Sequence, residues 1–119
     1  IINAAFEVYN TLGPGYQEII YHNAMIIALN QRGLICESEK EFMVTFKGNI
    51  VGIHHLDLAV NDKVIVELKA VAGEIPDVFK AQVISYLKVS GLEVALLINF
   101  GNDIIDIKRL VRYKNYIKH

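Results

Sequence analysis

The stretch that decides the fold is His55-Leu56-Asp57-Leu58-Ala59-Val60-Asn61-Asp62-Lys63-Val64-Ile65-Val66-Glu67-Leu68-Lys69. Its apolar residues alternate with a period of two on either side of a polar interruption, the pattern of two β-strands joined by a tight turn. Leu56, Leu58 and Val60 share one face of the first strand, and Val64, Val66 and Leu68 share one face of the second. These six are the expected core side. Both strands bury their apolar sets on the same side only if the loop holds an odd number of residues, and Asn61-Asp62-Lys63 meets that condition. Val60 then stands across from Val64, and Asp57 directly across from Glu67. His55, Asp57 and Ala59 fall on the face opposite the core, as do Ile65, Glu67 and Lys69.

Two carboxylates facing one another across a strand pair, with Cβ atoms about 5 Å apart, repel unless a cation or a proton lies between them. A divalent ion with hard oxygen preference, Mg²⁺ or Mn²⁺, answers that need, and Lys69 projects from the same face one pleat beyond. A lysine there is placed to hold an attacking water and to offset charge developing on a phosphorane. The pairing by itself is equally compatible with a solvated, salt-bridged sheet face.

Working outward, Ile2, Ala5, Phe6, Tyr9 and Leu12 have the spacing of one helix face, and Gly13-Pro14-Gly15 ends that run. A second helix is expected from Tyr16 through Ile20, Ala24, Ile27 and Ala28, with Gly33 suited to its left-handed cap. Phe42, Val44 and Phe46 alternate with Glu41, Met43, Thr45 and Lys47, which predicts a strand leading through Lys47-Gly48-Asn49 into a strand over 50–60. A third helix follows Pro76 and closes at Gly91. Val94 to Asn99 reads as a strand covered on both faces, and a last short strand carries Ile105, Ile107 and Leu110. The order is ααβββαβ plus a final strand. A single α/β (α+β) domain over residues 1–119, with a mixed central sheet flanked by helices, is the expected architecture.

The chain has 119 residues, 53% of them apolar, enough for a hydrophobic core. No apolar run approaches the roughly 20 residues of a membrane span, so a soluble protein without membrane association is expected. Cys36 is the only cysteine, which excludes an internal disulfide and a cysteine-rich zinc site and favours the cytoplasm. A net charge of -1 provides no global attraction for polyanions, so nucleic-acid contact must rest on a local patch. Lys108, Arg109, Arg112, Lys114 and Lys118 form one such strip near the C-terminus, either a phosphate-contacting surface or a solvated segment.

Further blocks carry a resemblance. Gly15-Tyr16-Gln17-Glu18-Ile19-Ile20-Tyr21 matches a GxxExxY signature, and Leu56-Asp57-Leu58, Val64 to Ala70, Ala81-Gln82-Val83-Ile84-Ser85-Tyr86-Leu87 and Leu96-Leu97-Ile98-Asn99-Phe100-Gly101 follow in order. From Ile2 to Val111 the chain resembles the GxxExxY protein family, which is grouped with the PD-(D/E)XK nuclease superfamily. The resemblance implies a restriction-endonuclease-like αβββαβ core and a Mg²⁺- or Mn²⁺-dependent deoxyribonuclease. It implies Asp57, Glu67 and Glu18 as metal ligands, Lys69 as the catalytic lysine, and Gln82 with Tyr86 as a QxxxY element. Gln82 and Tyr86 are four apart on one helix, and Glu18 and Tyr21 three apart on another, so each pair can address one site. The expected catalytic set is therefore Glu18, Asp57, Glu67, Lys69 and Gln82, with Tyr21, His55, Tyr86, Lys108 and Arg109 as substrate contacts. At His54-His55 the sequence departs from the aromatic–arginine pair that the resemblance implies, and His55 supplies positive charge only when protonated.

Two other functional classes stand beside the nuclease reading: a non-catalytic binding or regulatory module that keeps the fold, and association with a second copy or a larger protein, since one small domain offers little surface to grip a duplex. Cys36 reads as a structural thiol, and Glu18 with His22 as a surface hydrogen bond.

Overall fold

The computed structural model describes residues 1–112. Lys114 and Lys118 of the basic strip lie outside the described residues. The chain forms α1 (Ile2–Leu12), α2 (Glu18–Gln31), β1 (Cys36–Phe46), β2 (Asn49–Val60), β3 (Val64–Lys69), α3 (Asp77–Ser90), β4 (Val94–Asn99) and β5 (Asp106–Val111). The strands make one mixed sheet in the order β1-β2-β3-β4-β5, antiparallel except for the β3–β4 pair, which α3 connects. A parallel pair cannot be closed by a short turn, and the crossover helix covers the sheet face it passes over. Gly91, left-handed at φ 76°, ends α3 and donates its amide to the Leu87 carbonyl.

The three-residue turn gives the expected register: Val60 pairs with Val64, Ala59 with Ile65 and Leu58 with Val66. Leu58, Val60, Val66 and Leu68 pack with Tyr21, Met25 and Leu29 beneath α1 and α2, and Val64 packs against that cluster. Leu56 does not join them. It lies in a second core with Ile65, Val83, Leu87 and Leu97 under α3. Strict alternation therefore fails between Leu56 and Leu58. The neighbouring strand is irregular at the same level, where Glu39 has φ 55° and sits between the pairs Ser38–Leu58 and Lys40–Leu56. The register is the same on both sides of Glu39, so the left-handed backbone there, and not an extra residue, marks the level at which the alternation breaks. The second correction concerns the face opposite the first core: Ala59 and Ile65 are buried there, so the sheet is covered on both sides.

β1 also begins earlier than its alternation suggests, because Cys36 and Glu37 extend the ladder to Val60 and Ala59. No described helix is long and apolar enough to cross a membrane.

Candidate active site

Backbone pairing between β2 and β3 stops at Leu58 and Val66, one residue short of the two carboxylates. Their side chains replace the missing ladder. The Asp57 amide donates to Glu67 Oε1 at 3.0 Å, and the Leu68 amide donates to Asp57 Oδ2 at 2.9 Å. Each carboxylate thus takes an amide from the other strand, which orients both groups at the point where the strands part. Each also keeps oxygen lone pairs beyond those the amides occupy.

Glu67 is buried among apolar neighbours. Burial, reinforced by the Asp57 charge, pushes its carboxyl up to about 8, while the Asp57 amide and the Lys69 ammonium pull the other way. Lys69 leaves the end of β3 with Nζ 4.4 Å from the centre of the Phe79 ring, a cation–π contact that holds it toward α3. Glu18 is the first residue of α2. Desolvation and the Asp57 charge raise its carboxyl, and Lys69 and His22 lower it, so it lies within electrostatic reach of the pair. Tyr86, on α3, is buried; burial and the Glu67 and Asp57 charges push its phenol up to about 12. One turn earlier Gln82 is exposed on the same helix.

Four expected contacts fall elsewhere. Tyr21 is fully buried; its hydroxyl donates to the Gly13 carbonyl at 2.6 Å and accepts the Tyr16 amide, and its ring stacks on Phe100 at 4.5 Å. It fixes the loop ahead of Glu18. His55 is exposed beside Glu41 at 3.7 Å, and the alternation argument that gave it the Asp57 face fails with Leu56. Lys108 pairs with Asp106 at 3.4 Å on β5. Arg109 borders a recess beside Val64, at the start of β3, whereas Lys69 is at its end, about 16 Å along the strand. Among the described residues, Lys108 and Arg109 do not converge on the carboxylates.

Two supports were not anticipated. His54 Nε2 is 3.1 Å from Ser85 Oγ, and that hydroxyl donates to the Gln82 carbonyl at 2.6 Å. Ser85 has one proton, so His54 Nε2 must be the donor. Its ring meets Tyr86 edge-on at 4.6 Å. The other support is a clamp after Lys69. Asn99 is completely buried; its amide oxygen accepts the Val71 and Gly101 amides and its nitrogen donates to the Val71 carbonyl, each at 3.0 Å. Asn102 repeats the exchange with Gly73 at 2.8 Å. Gly101 lies so close that a Cβ there would fall 2.2 Å from the Val71 carbonyl oxygen. A lone asparagine closing the apolar run Val94 to Ile98 was the available signal.

Among the described residues no group of three or more His, Cys, Asp or Glu is assembled tightly enough to hold a metal ion. Asp57 and Glu67 nevertheless fit a divalent cation: they are hard oxygen donors, adjacent, pre-oriented, and, once Glu67 loses its proton, in excess of the single Lys69 charge near them.

The family comparison agrees with the fold. A family model described as PD-(D/E)XK nuclease superfamily matches residues 1–110. The chain belongs to the PD-(D/E)XK nuclease superfamily. A solved crystal structure, that of SSO0001, is similar in fold, with a TM-score of 0.62 and 18% identity over 83% of this chain and 52% of that one. The chain thus spans about half the length of that structure. No curated protein matches.

Proposed function

We propose that this PD-(D/E)XK protein is a deoxyribonuclease of the GxxExxY group, hydrolysing phosphodiester bonds with Mg²⁺ or Mn²⁺ bound by Asp57 and Glu67 and assisted by Glu18. The observation that carries the reading is the Glu67–Asp57 pair, whose carboxyls are held at the parting of two strands and which, once Glu67 gives up the proton that burial and Asp57 hold on it, carries more negative charge than Lys69 offsets. A divalent ion bound there supplies Lewis acidity and neutralises that excess. Lys69 orients the water that attacks phosphorus; one P–O bond forms, another breaks, and the leaving oxygen takes up a proton. Its ammonium also offsets charge on the phosphorane. Gln82 and Tyr86, presented by α3, orient substrate and water, and His54 keeps Tyr86 in place.

The test is cleavage of plasmid and linear DNA by the purified chain with Mn²⁺ or Mg²⁺. Cleavage is expected, lost on addition of EDTA and in Asp57→Asn and Lys69→Ala. Metal-independent cleavage, or cleavage unchanged in Asp57→Asn, contradicts it. The dispersal of Lys108 and Arg109 away from the carboxylates favours one alternative, a nuclease-fold module that binds without cutting. Tight DNA binding without turnover under any divalent ion would select it.

A further inference from the structure

β2 is paired on both sides only at its end. It meets β3 through Leu58, Ala59 and Val60, while β1 follows it from Cys36 to Phe46. Phe42 still packs against the core under α3, and His54 still touches Tyr86. Beyond them, residues 43–53 form a two-stranded arm. An isolated two-stranded hairpin is marginal in water and gains stability when a third strand or an apolar surface covers it.

The arm is apolar where it leaves the body. Met43, Phe46, Ile50, Val51 and Ile53 are 50% to 63% exposed. Met43 and Ile53 face each other across the ladder, making a continuous patch on one face. Among the described residues the outer edge of β1 has no partner strand, since β1 ends the sheet. Unpaired strand edges with exposed apolar side chains are templates for pairing with another chain.

Charge distinguishes the partner. Lys47 is at the tip, its ammonium 5.4 Å from the Phe46 ring centre, and among the described residues it has no acidic partner. Glu39 and Glu41 are at the base, and Glu39 is likewise without an ion pair. The nearby Lys40 is occupied by Asp62 at 2.8 Å and Glu37 at 3.5 Å. A strand that is acidic at its base and basic at its tip is complementary to a reversed copy of itself. An antiparallel two-fold placed at Met43 sets Lys47 opposite the other copy's Glu39, Lys40 opposite Phe46, and Met43 against Met43. A parallel arrangement sets like charges together. Edge pairing covers Met43 and Phe46 of β1 along with the unpaired backbone, while Ile50, Val51 and Ile53 lie one strand further in on β2.

We infer that the β1–β2 arm is a homodimer interface, joining two copies antiparallel through their β1 edges into one continuous sheet. The catalytic carboxylates lie on the body, outside the arm, so the inference stands independently of the nuclease reading.

Sedimentation equilibrium of the chain from 10 to 200 µM tests it, with circular dichroism and melting as controls for folding. The expected species has twice the 13.4 kDa chain mass. Met43→Lys weakens association at least about tenfold. Lys47→Glu and Glu39→Lys each weaken it about threefold to tenfold, because a two-fold axis counts every bridge twice, and the double exchange recovers it. A monomeric wild type at 200 µM overturns the inference. So does undiminished association in folded Met43→Lys, or a double exchange no better than the single variants.

Discussion

Two buried polar assemblies lie within a few residues of each other at the carboxyl ends of β3 and β4, and they differ in whether their bonding is complete. Asn99 and Asn102 are neutral, and the side-chain amide groups shown bonding go to backbone partners in adjacent loops. Asp57 and Glu67 each accept one backbone amide, and burial beside the Asp57 charge keeps the proton on Glu67 up to about pH 8, because without it the two would face each other with like charge. A satisfied polar group at full burial contributes rigidity and uniqueness. An unsatisfied charge costs stability unless something binds to it, and is therefore where a ligand is to be sought. The clamp holds the loop after Lys69, and the carboxylates wait beside it.

The largest expected effect is on the satisfied side. Asn99→Ala strands the Val71 amide and carbonyl and the Gly101 amide, with a cost of roughly 3–5 kcal/mol in urea unfolding at about 1–3 kcal/mol for each unmatched group, reduced by local water. Gly101→Ala meets the Val71 backbone directly and is expected to destabilise comparably. If either variant unfolds like wild type, the clamp is not what fixes the loop. Next, Lys69→Ala is expected to lower cleavage by about 10²-fold or more while leaving Mn²⁺ affinity and the melting temperature nearly unchanged. Equal loss of metal binding would mean the lysine is part of the fold of the site instead of its chemistry.

Glu67→Gln sharpens the contrast from the other side. The folded-state carboxyl titrates near 8 against an ordinary 4.5. Below about pH 4.5 it is protonated whether the chain is folded or not, and its stabilising contribution is complete. Between 4.5 and 8 the unfolded chain gives up the proton that the folded chain retains, so stability falls as pH rises, and above 8 the contribution is gone. The metal-free protein should therefore melt at progressively lower temperature from pH 5 to pH 8, and Glu67→Gln should flatten that slope and melt above wild type at pH 8. An unchanged slope removes the claim that Glu67 is the strained member. The smallest effect belongs to Arg109→Ala, which should alter cleavage less than about twofold, since its side chain borders the opposite end of β3.

Much of this was legible from residues 55–69. The three-residue turn fixed the register, and register put Asp57 at the level of Glu67, because a side-chain period of two leaves no freedom once one face is buried. Parity failed at Leu56 for a reason invisible to it: the irregularity sits on the neighbouring strand, at Glu39, whose sequence carries no glycine to mark it. Helical spacing places Tyr21 near Glu18 but does not show that its hydroxyl bonds the Gly13 carbonyl. Clustering in sequence likewise does not show that Lys108 and Arg109 are neighbours on a β-strand, where alternate residues face opposite sides of a sheet. Asn99 was readable in principle: a single amide ending a buried apolar strand must find partners.

The central claim is that Asp57 and Glu67 form a charge-strained pair completed by a divalent ion. Calorimetric titration of Mn²⁺ at pH 7, in two buffers of different ionisation enthalpy, measures it directly. Binding should release close to one proton per ion at pH 7, fall to near zero release above pH 9, and vanish in Asp57→Asn. Absence of binding, or binding at pH 7 with no proton released, would contradict the account.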